Sequence, residues 1–374
     1  MNHNASLGRR VLIISRDFRY QGGVVNYLET LSRTFSEPEH YSYFFIGREY
    51  GKKFSLLDFF SPLIKSFRLI KKLHDENIEI VHINPSLNMR SLLRDGLYML
   101  VVSLFSRARI LVFVHGWNIR LADKIATHRI YKNIFKNVFG RAAGFLVLAT
   151  QFKQGLVKIG ISIDKIKVTT TMFDGKLFSN VEHRTNKLEP TLLFMSRFVR
   201  EKGIYELFDA FSELKKYYTQ ARLLMVGDGP ELSMMKAWVK ENNLISSVIF
   251  TGYLREKDKI QALMEADIFV FPTYYGEGCP VALLEAMAAG LPVVTAAAGG
   301  IGDFFRDGEN GVLLSQVTSQ TIEQAVCLLL KNRERMSQIS QTNRRQAWIN
   351  YEAEVMTKGM EAIYMAVINE GEPQ

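Results

Sequence analysis

The sequence predicts an α/β chain of two domains, each a parallel sheet covered on both faces by helices. Three observations carry that expectation. Short β-type apolar runs recur at 11–15, 43–46, 80–83, 110–115 and 145–149, with helix-like segments between them. A second set follows the same plan at 191–195, 222–226, 248–251, 268–271 and 293–295. Strands that alternate with helices and read as continuous apolar stretches belong to parallel sheets. The third observation is length: 374 residues exceed what one core usually covers.

The break between the sets falls at 174–190, a polar stretch with Asn186, Lys187 and Pro190 and no periodicity. The expected division is therefore 1–178, 188–349 and a terminal helix in 350–374. That helix belongs to a helical pattern over 337–369, with Ile339, Trp348, Val355, Met360, Ile363 and Tyr364 as its apolar positions.

Composition narrows the setting. Cys279 and Cys327, far apart, give no disulfide framework and suit a reducing compartment. The N-terminus has no apolar leader segment, the run 11–14 being too short. No apolar run reaches the roughly 18 residues of a spanning helix. The nearest, 97–105, is flanked by Arg94, Arg107 and Arg109 and reads as a buried or interfacial helix. A cytoplasmic protein is expected, with peripheral attachment to the inner face of the membrane as an option. Charge is uneven: residues 1–180 hold 27 Lys and Arg against 13 Asp and Glu, and the remainder 20 against 25. The N-terminal half is thus suited to an anionic partner, membrane phospholipid and nucleic acid both being candidates.

The chemistry concentrates in 266–295. Glu277 lies on a Gly-rich loop after one apolar run, and Glu285 eight residues later, about two turns into a small-residue helix. Strand, loop, helix and strand make the unit that puts ligands at the carboxyl ends of parallel strands. The amides of Gly278 and Cys279, near the helix start, are available as donors. Two carboxylates with free amides suit a polyhydroxylated ligand such as a sugar nucleotide.

Four further stretches matter by position. Gly22 and Gly23 follow the first strand and precede a helix over 27–35, a plain turn or a place where backbone approaches an anion. Arg197 and Lys202 follow the strand 191–195, two cations that suit a diphosphate. Residues 223–230 end a strand in a G-D-G-P turn. His115 and Gly116 end the strand in VFVHGW, and His82 ends an earlier one. A histidine so placed is either structural or catalytic.

The run from Glu277, E-G-C-P-V-A-L-L-E-A-M-A-A-G-L-P-V-V, resembles the E-x7-E signature of the GT4-type (group 1) retaining glycosyltransferases, which have the GT-B fold. That resemblance implies two Rossmann-like domains facing across a cleft, with the last helix crossing back to the N-terminal domain. It implies that Arg197 and Lys202 bind the donor diphosphate, as in the family's G-R-x4-K-G motif, with Ser196 standing where glycine is usual. Gly22 and Gly23 would face the same diphosphate. Glu277, with the amides of Gly278 and Cys279, would hold sugar hydroxyls, Glu285 the ribose, and His115 the donor sugar near the reacting centre. His82 matches another family position without an assigned catalytic part. The segment 171–175, TMFDG, departs from the family's P-N-G-x-D and puts in doubt the interdomain contact made there. The resemblance spans 22–364, dense in the C-terminal half and loose in the N-terminal half.

The activity so implied is metal-independent, cofactor-free transfer of a hexosyl group from a nucleotide sugar, UDP favoured, to a glycan acceptor. A lipid-linked glycan of surface polysaccharide biosynthesis is the favoured acceptor. Basic amphipathic segments at 51–72 (Lys52, Lys53, Lys65, Arg68, Lys71, Lys72) and 120–141 either lie on anionic membrane or pack on the sheet with a solvated face. Alternatives are a sugar-nucleotide epimerase, a soluble-acceptor synthase, or a non-catalytic binder of nucleotide sugar or nucleic acid. No recognisable nucleic-acid module is present, so nucleic acid is not expected.

Overall fold

In the two main sheets every neighbouring pair of strands runs parallel, as continuous apolar runs require. The computed structural model describes residues 10–20, 22–48, 50–51, 57–178 and 189–369. Lys52 and Lys53 of the first basic segment, Asn186 and Lys187 of the expected linker, and the start of the chain read for a leader lie outside the described residues.

The chain forms two units, Met1–Thr171 with Ala353–Gln374, and Met172–Glu352. The first unit begins β1 Val11–Ser15, α1 Gly23–Thr34, β2 Tyr41–Phe45, α2 Leu57–Asp75 and β3 Ile80–Ile83. It continues β4 Ser86–Leu87, α3 Met89–Phe105, β5 Arg109–Val114, β6 Gly116–Trp117, α4 Ile119–Thr127 and α5 Arg129–Phe139. β7 Gly144–Val147, α6 Thr150–Ile159 and β8 Ile166–Val168 complete its first pass. The sheet order is β2-β1-β3-β5-β7-β8, with β4 and β6 paired apart. That is the flavodoxin-type doubly wound order, reversing between β1 and β3, one of the two common orders of such Rossmann-like sheets.

The second unit runs β9 Thr191–Met195, α7 Ile204–Leu214, β10 Arg222–Val226, α8 Leu232–Glu241, β11 Val248–Gly252 and α9 Glu256–Glu265. Then come β12 Ile268–Phe271, α10 Val281–Ala288, β13 Val293–Ala296, α11 Ile301–Phe304, β14 Gly311–Leu314, α12 Ser319–Leu330 and α13 Arg333–Asn350. Its order, β11-β10-β9-β12-β13-β14, is the dinucleotide-binding order, reversing between β9 and β12.

The terminal helical pattern is two helices. α13 stops at Asn350 and α14 runs Ala353–Asn369. The units divide at that break and at Thr171/Met172, instead of at 349 and 178. Packing explains the shift: Phe173 bridges to Glu352, its amide donates to the Tyr351 carbonyl, and its ring lies 5.4 Å from that of Trp348. Residues 172–175 are therefore held against the end of α13, within the second unit.

α14 belongs to the first unit. Tyr364 Oη lies 2.7 Å from His82 Nδ1, the Thr34 and Thr357 hydroxyls are 2.5 Å apart, and Arg109 donates to the Val367 carbonyl. His82 is fully buried in β3, and burial pushes its pKa down to about 3. Its Nε2 has no partner among the described residues. His82 thus ties the last helix to the sheet as a neutral ring.

Tyr364→Phe removes the one hydrogen bond of a buried imidazole and is expected to cost about 1–3 kcal/mol, read by urea denaturation. His82 carries a linkage of definite sign. The folded ring takes a proton only near pH 3 while an ordinary histidine takes one near 6.5, so its contribution is present above 6.5 and is lost as pH falls towards 3. Its ring resonances should accordingly stay unshifted by NMR from about pH 8 to about pH 5.

Candidate active site

Helices that leave neighbouring strands for opposite faces open a crevice at a switch point. In the second unit that point lies between β9 and β12, and the acidic and basic candidates gather there. Lys202 ends a short turn, Arg200–Lys202, after β9, while Glu277 sits on the loop after β12. The Glu201 carbonyl fastens the two segments, accepting the amides of Tyr274 and Tyr275 at 3.0 and 3.1 Å and the Thr273 hydroxyl at 3.3 Å. Lys202 and Glu277 form an ion pair, their side chains only 12% and 13% exposed. The Lys202 ammonium lies 5.2 Å from the Phe271 ring centroid and 5.1 Å from that of Tyr275, within cation–π range. Thr273 donates to Glu277 at 3.3 Å. Arg197 is exposed, and its guanidinium has no partner among the described residues.

Two glycines set these loops. At Gly227 (φ +138°) a Cβ would stand 1.9 Å from the Ser196 carbonyl oxygen, so the G-D-G turn can lie directly against the Arg197 loop. The Ser196 and Phe198 amides donate to the Val226 and Asp228 carbonyls there, at 3.1 and 2.8 Å. At Gly299 (φ +68°) a Cβ would stand 1.9 Å from the Glu277 carbonyl oxygen, which also accepts the Gly300 amide at 2.8 Å. The loop after β13 is thus the backrest of Glu277.

Gly278 follows Glu277, and its amide makes no hydrogen bond among the described residues. Cys279 is buried and forms no disulfide. α10 begins at Val281, which puts Glu285 just past the first turn instead of the second. Glu285 is buried and ion-paired with Lys259 of α9. Desolvation pulls the Lys259 pKa down, but the charge and hydrogen bond of Glu285 outweigh it and hold the ammonium above its ordinary range. Neither hydrogen bond nor ion pair joins Glu285 to Glu277 or Lys202 among the described residues.

The remaining candidates sit at the carboxyl ends of strands in the first unit. Gly22 caps α1 and Gly23 begins it, and a Cβ at either would meet open space. That leaves the helix start bare backbone, a geometry suited to an anion. His115 follows β5, and its Nε2 is 2.9 Å from Asn84 Oδ1. Asn84 follows β3, and its Nδ2 donates to the Ile14 carbonyl of β1 at 3.2 Å. That second bond fixes which end of the amide faces the imidazole. Asn84 presents its oxygen, so His115 carries its proton on Nε2 and leaves Nδ1 as an acceptor. Burial, with the neighbouring His82, pushes the His115 pKa down to about 3. His115 is therefore a neutral acceptor, its ring 4.0 Å from Phe113 and 5.2 Å from Tyr27.

Asn84, Lys259 and Thr273 escaped the sequence reading. A polar residue directly after a strand signals Asn84, two positions past His82. Lys259, 26 residues from Glu285, leaves no local signal. Asn84→Asp replaces the neutral partner of His115 with a carboxylate, so the His115 pKa should rise into the range where NMR sees its ring titrate between about pH 5 and about pH 8. Asn84→Leu should leave His115 non-titrating, since only a charged partner opposes burial.

The profile of the family described as "Glycosyl transferases group 1" matches residues 177–346. Among curated proteins the chain is 25% identical over 221 residues to the putative colanic acid biosynthesis glycosyltransferase WcaL of Salmonella typhimurium, covering 58% of this chain and 54% of that one. It is 31% identical over 175 residues to the phosphatidyl-myo-inositol mannosyltransferase of Mycobacterium leprae, covering 46% of each. The chain thus spans about half the length of the curated relatives it matches. Among solved structures, Anabaena HepE in complex with UDP and glucose superposes with a TM-score of 0.74 over 96% of this chain and 99% of that one, at 17% identity. The chain has the GT-B fold, and its residues 177–346 match the family of group 1 glycosyl transferases.

Proposed function

We propose that this chain is a retaining glycosyltransferase that moves a hexosyl group from a nucleotide sugar to a glycan acceptor. A UDP-sugar is the favoured donor and a lipid-linked glycan of surface polysaccharide biosynthesis the favoured acceptor. The observation that carries the reading is the Lys202–Glu277 pair, with the unpartnered Arg197 on the same loop after β9, at the switch point of the second unit. A diphosphate entering there meets the guanidinium fork of Arg197 and competes with Glu277 for the Lys202 ammonium. Glu277, released, becomes an acceptor for sugar hydroxyls, with the Gly278 amide beside it as a donor. The HepE complex with UDP and glucose supports this donor class, and the colanic acid relative supports the polysaccharide setting.

In the transfer, the bond from the anomeric carbon to the leaving phosphate oxygen breaks. The acceptor oxygen bonds to the same face, and its proton passes to the departing phosphate. Negative charge grows on that phosphate, so fixed cations stabilise the transition state more than the ground state. Arg197 and Lys202 supply that charge, so the reading needs no metal and no other cofactor. Neutral His115 contributes a directional hydrogen bond to the sugar, Glu285 takes the ribose by exchanging its bond to Lys259, and the Gly22–Gly23 backbone favours the diphosphate. The setting is cytoplasmic, at the inner face of the membrane, with an anionic surface and no nucleic acid as partner.

A thermal-shift and turnover panel of UDP-, GDP- and ADP-sugars, with and without EDTA, tests this. One nucleotide class should stabilise the protein in either buffer, and Arg197→Ala should abolish that shift. Glu277→Ala should retain the shift and lose turnover by about 10²-fold or more. Near-wild-type turnover in either variant removes the assignment. Gly299→Ala, whose new Cβ displaces the Glu277 backbone, should also bind the nucleotide yet lose turnover comparably.

A further inference from the structure

The first unit carries a feature that the transfer chemistry leaves unused. Between α3, α4 and α5 lies a groove of about 290 Å³ whose lining residues are all apolar, aromatic or glycine. Gly96 lets two helices meet in it: a Cβ there would crowd Val138 of α5 at 3.3 Å. The groove opens to solvent through large apolar side chains, Leu93 being 70% and Ile134 56% exposed. The neighbouring α2, packed on α3, adds Leu63, Ile64 and an outward Phe67. Single exposed apolar residues are ordinary, but a gathering of them on adjacent helices marks an interaction surface.

The rim is cationic. The Lys124 ammonium stands 5.2 Å over the ring of Tyr131, which lines the groove. Exposed Arg90, Arg120 and Arg129 flank Met89, Leu121 and Ile130 in sequence. From residue 57 to 141 the chain carries fourteen Lys and Arg against six Asp and Glu. Apolar depth with a basic rim matches hydrocarbon below and phosphate above, the chemistry of an anionic lipid surface.

We propose that this groove seats one acyl chain of an anionic bilayer phospholipid, with the rim cations on headgroup phosphates. The proposal rests on the membrane-surface part of the functional reading and adds where the surface is met.

The test uses the full chain carrying Ile134→Trp, with phosphatidylglycerol or phosphatidylcholine vesicles whose acyl chains are brominated. Binding should be about tenfold or more tighter to the anionic vesicles, as expected for several cations near the surface. The emission of the added indole should be quenched beyond that of the unaltered chain. Leu93→Glu should weaken vesicle binding while leaving the nucleotide-sugar thermal shift unchanged. Binding to anionic vesicles without added quenching overturns the groove and leaves membrane attachment standing. No vesicle binding, with the donor shift intact, overturns both and leaves the transferase reading. Quenching only when a polyprenyl phosphate is included overturns the phospholipid assignment in favour of an acceptor lipid. Self-association without lipid that Leu93→Glu abolishes assigns the groove to a second copy instead.

Discussion

Two opposite charges in a space that water barely reaches set the terms for the second unit. Lys202 and Glu277 are each about one-eighth exposed, so water solvates neither fully and each serves as the other's partner. Breaking such a pair by removing one member costs on the order of 3–5 kcal/mol, because the survivor is a buried charge without compensation. The diphosphate of the proposed donor would instead replace one anion by another and leave the ammonium paired. The surrounding backbone holds the pair in place. The Glu201 carbonyl clamps Tyr274 and Tyr275, the G-D-G turn supports the Arg197 loop, and Gly299 backs Glu277.

The first unit solves a different problem with neutral groups. His82 and His115 both lie deep enough that burial pushes their pKa values down to about 3. One spends its hydrogen bond on holding α14, through Tyr364. The other is oriented by Asn84, itself oriented by the Ile14 carbonyl, so a strand of the sheet dictates an imidazole tautomer two hydrogen bonds away. A neutral imidazole adds direction without charge.

Legibility followed the range of the interactions. Strands 11–15, 80–83, 191–195, 222–226 and 268–271 were readable to the residue, since each is a short, mostly apolar run between polar loops. β8 and β14 were missed: Ile166–Val168 is three residues with a lysine at its centre, and Gly311–Leu314 opens on a glycine. The break after Asn350 was hidden because Trp348 and Val355 serve different units while keeping one helical rhythm. Two doubly wound parallel sheets were readable, but their different strand orders were not, since apolar runs carry no information on which neighbour a strand takes. At the candidate site, Arg197, Lys202 and Glu277 could be singled out because the motifs lie within single loops. Lys259 was not, because its pairing with Glu285 is made only when α9 folds beside α10.

Charge distribution links the two ends of this chemistry. Residues 181–374 carry 20 basic against 25 acidic side chains, so at long range this part of the chain does not attract a polyphosphate. Screening makes that tolerable, since fields from exposed charges fade beyond about 8 Å at physiological ionic strength. In the proposed function, recognition of the diphosphate therefore falls to cations in direct reach, Arg197 and Lys202. The N-terminal half, with 27 basic against 13 acidic side chains, is the part whose summed field reaches an extended anionic surface. A surface of fixed negative charge acts on many exposed cations at once, whereas a single diphosphate acts on two. Uniform basicity would have bound both without distinction. Under the proposed function, segregated charge would let the N-terminal half meet an anionic surface while the other half selects a small anion by contact.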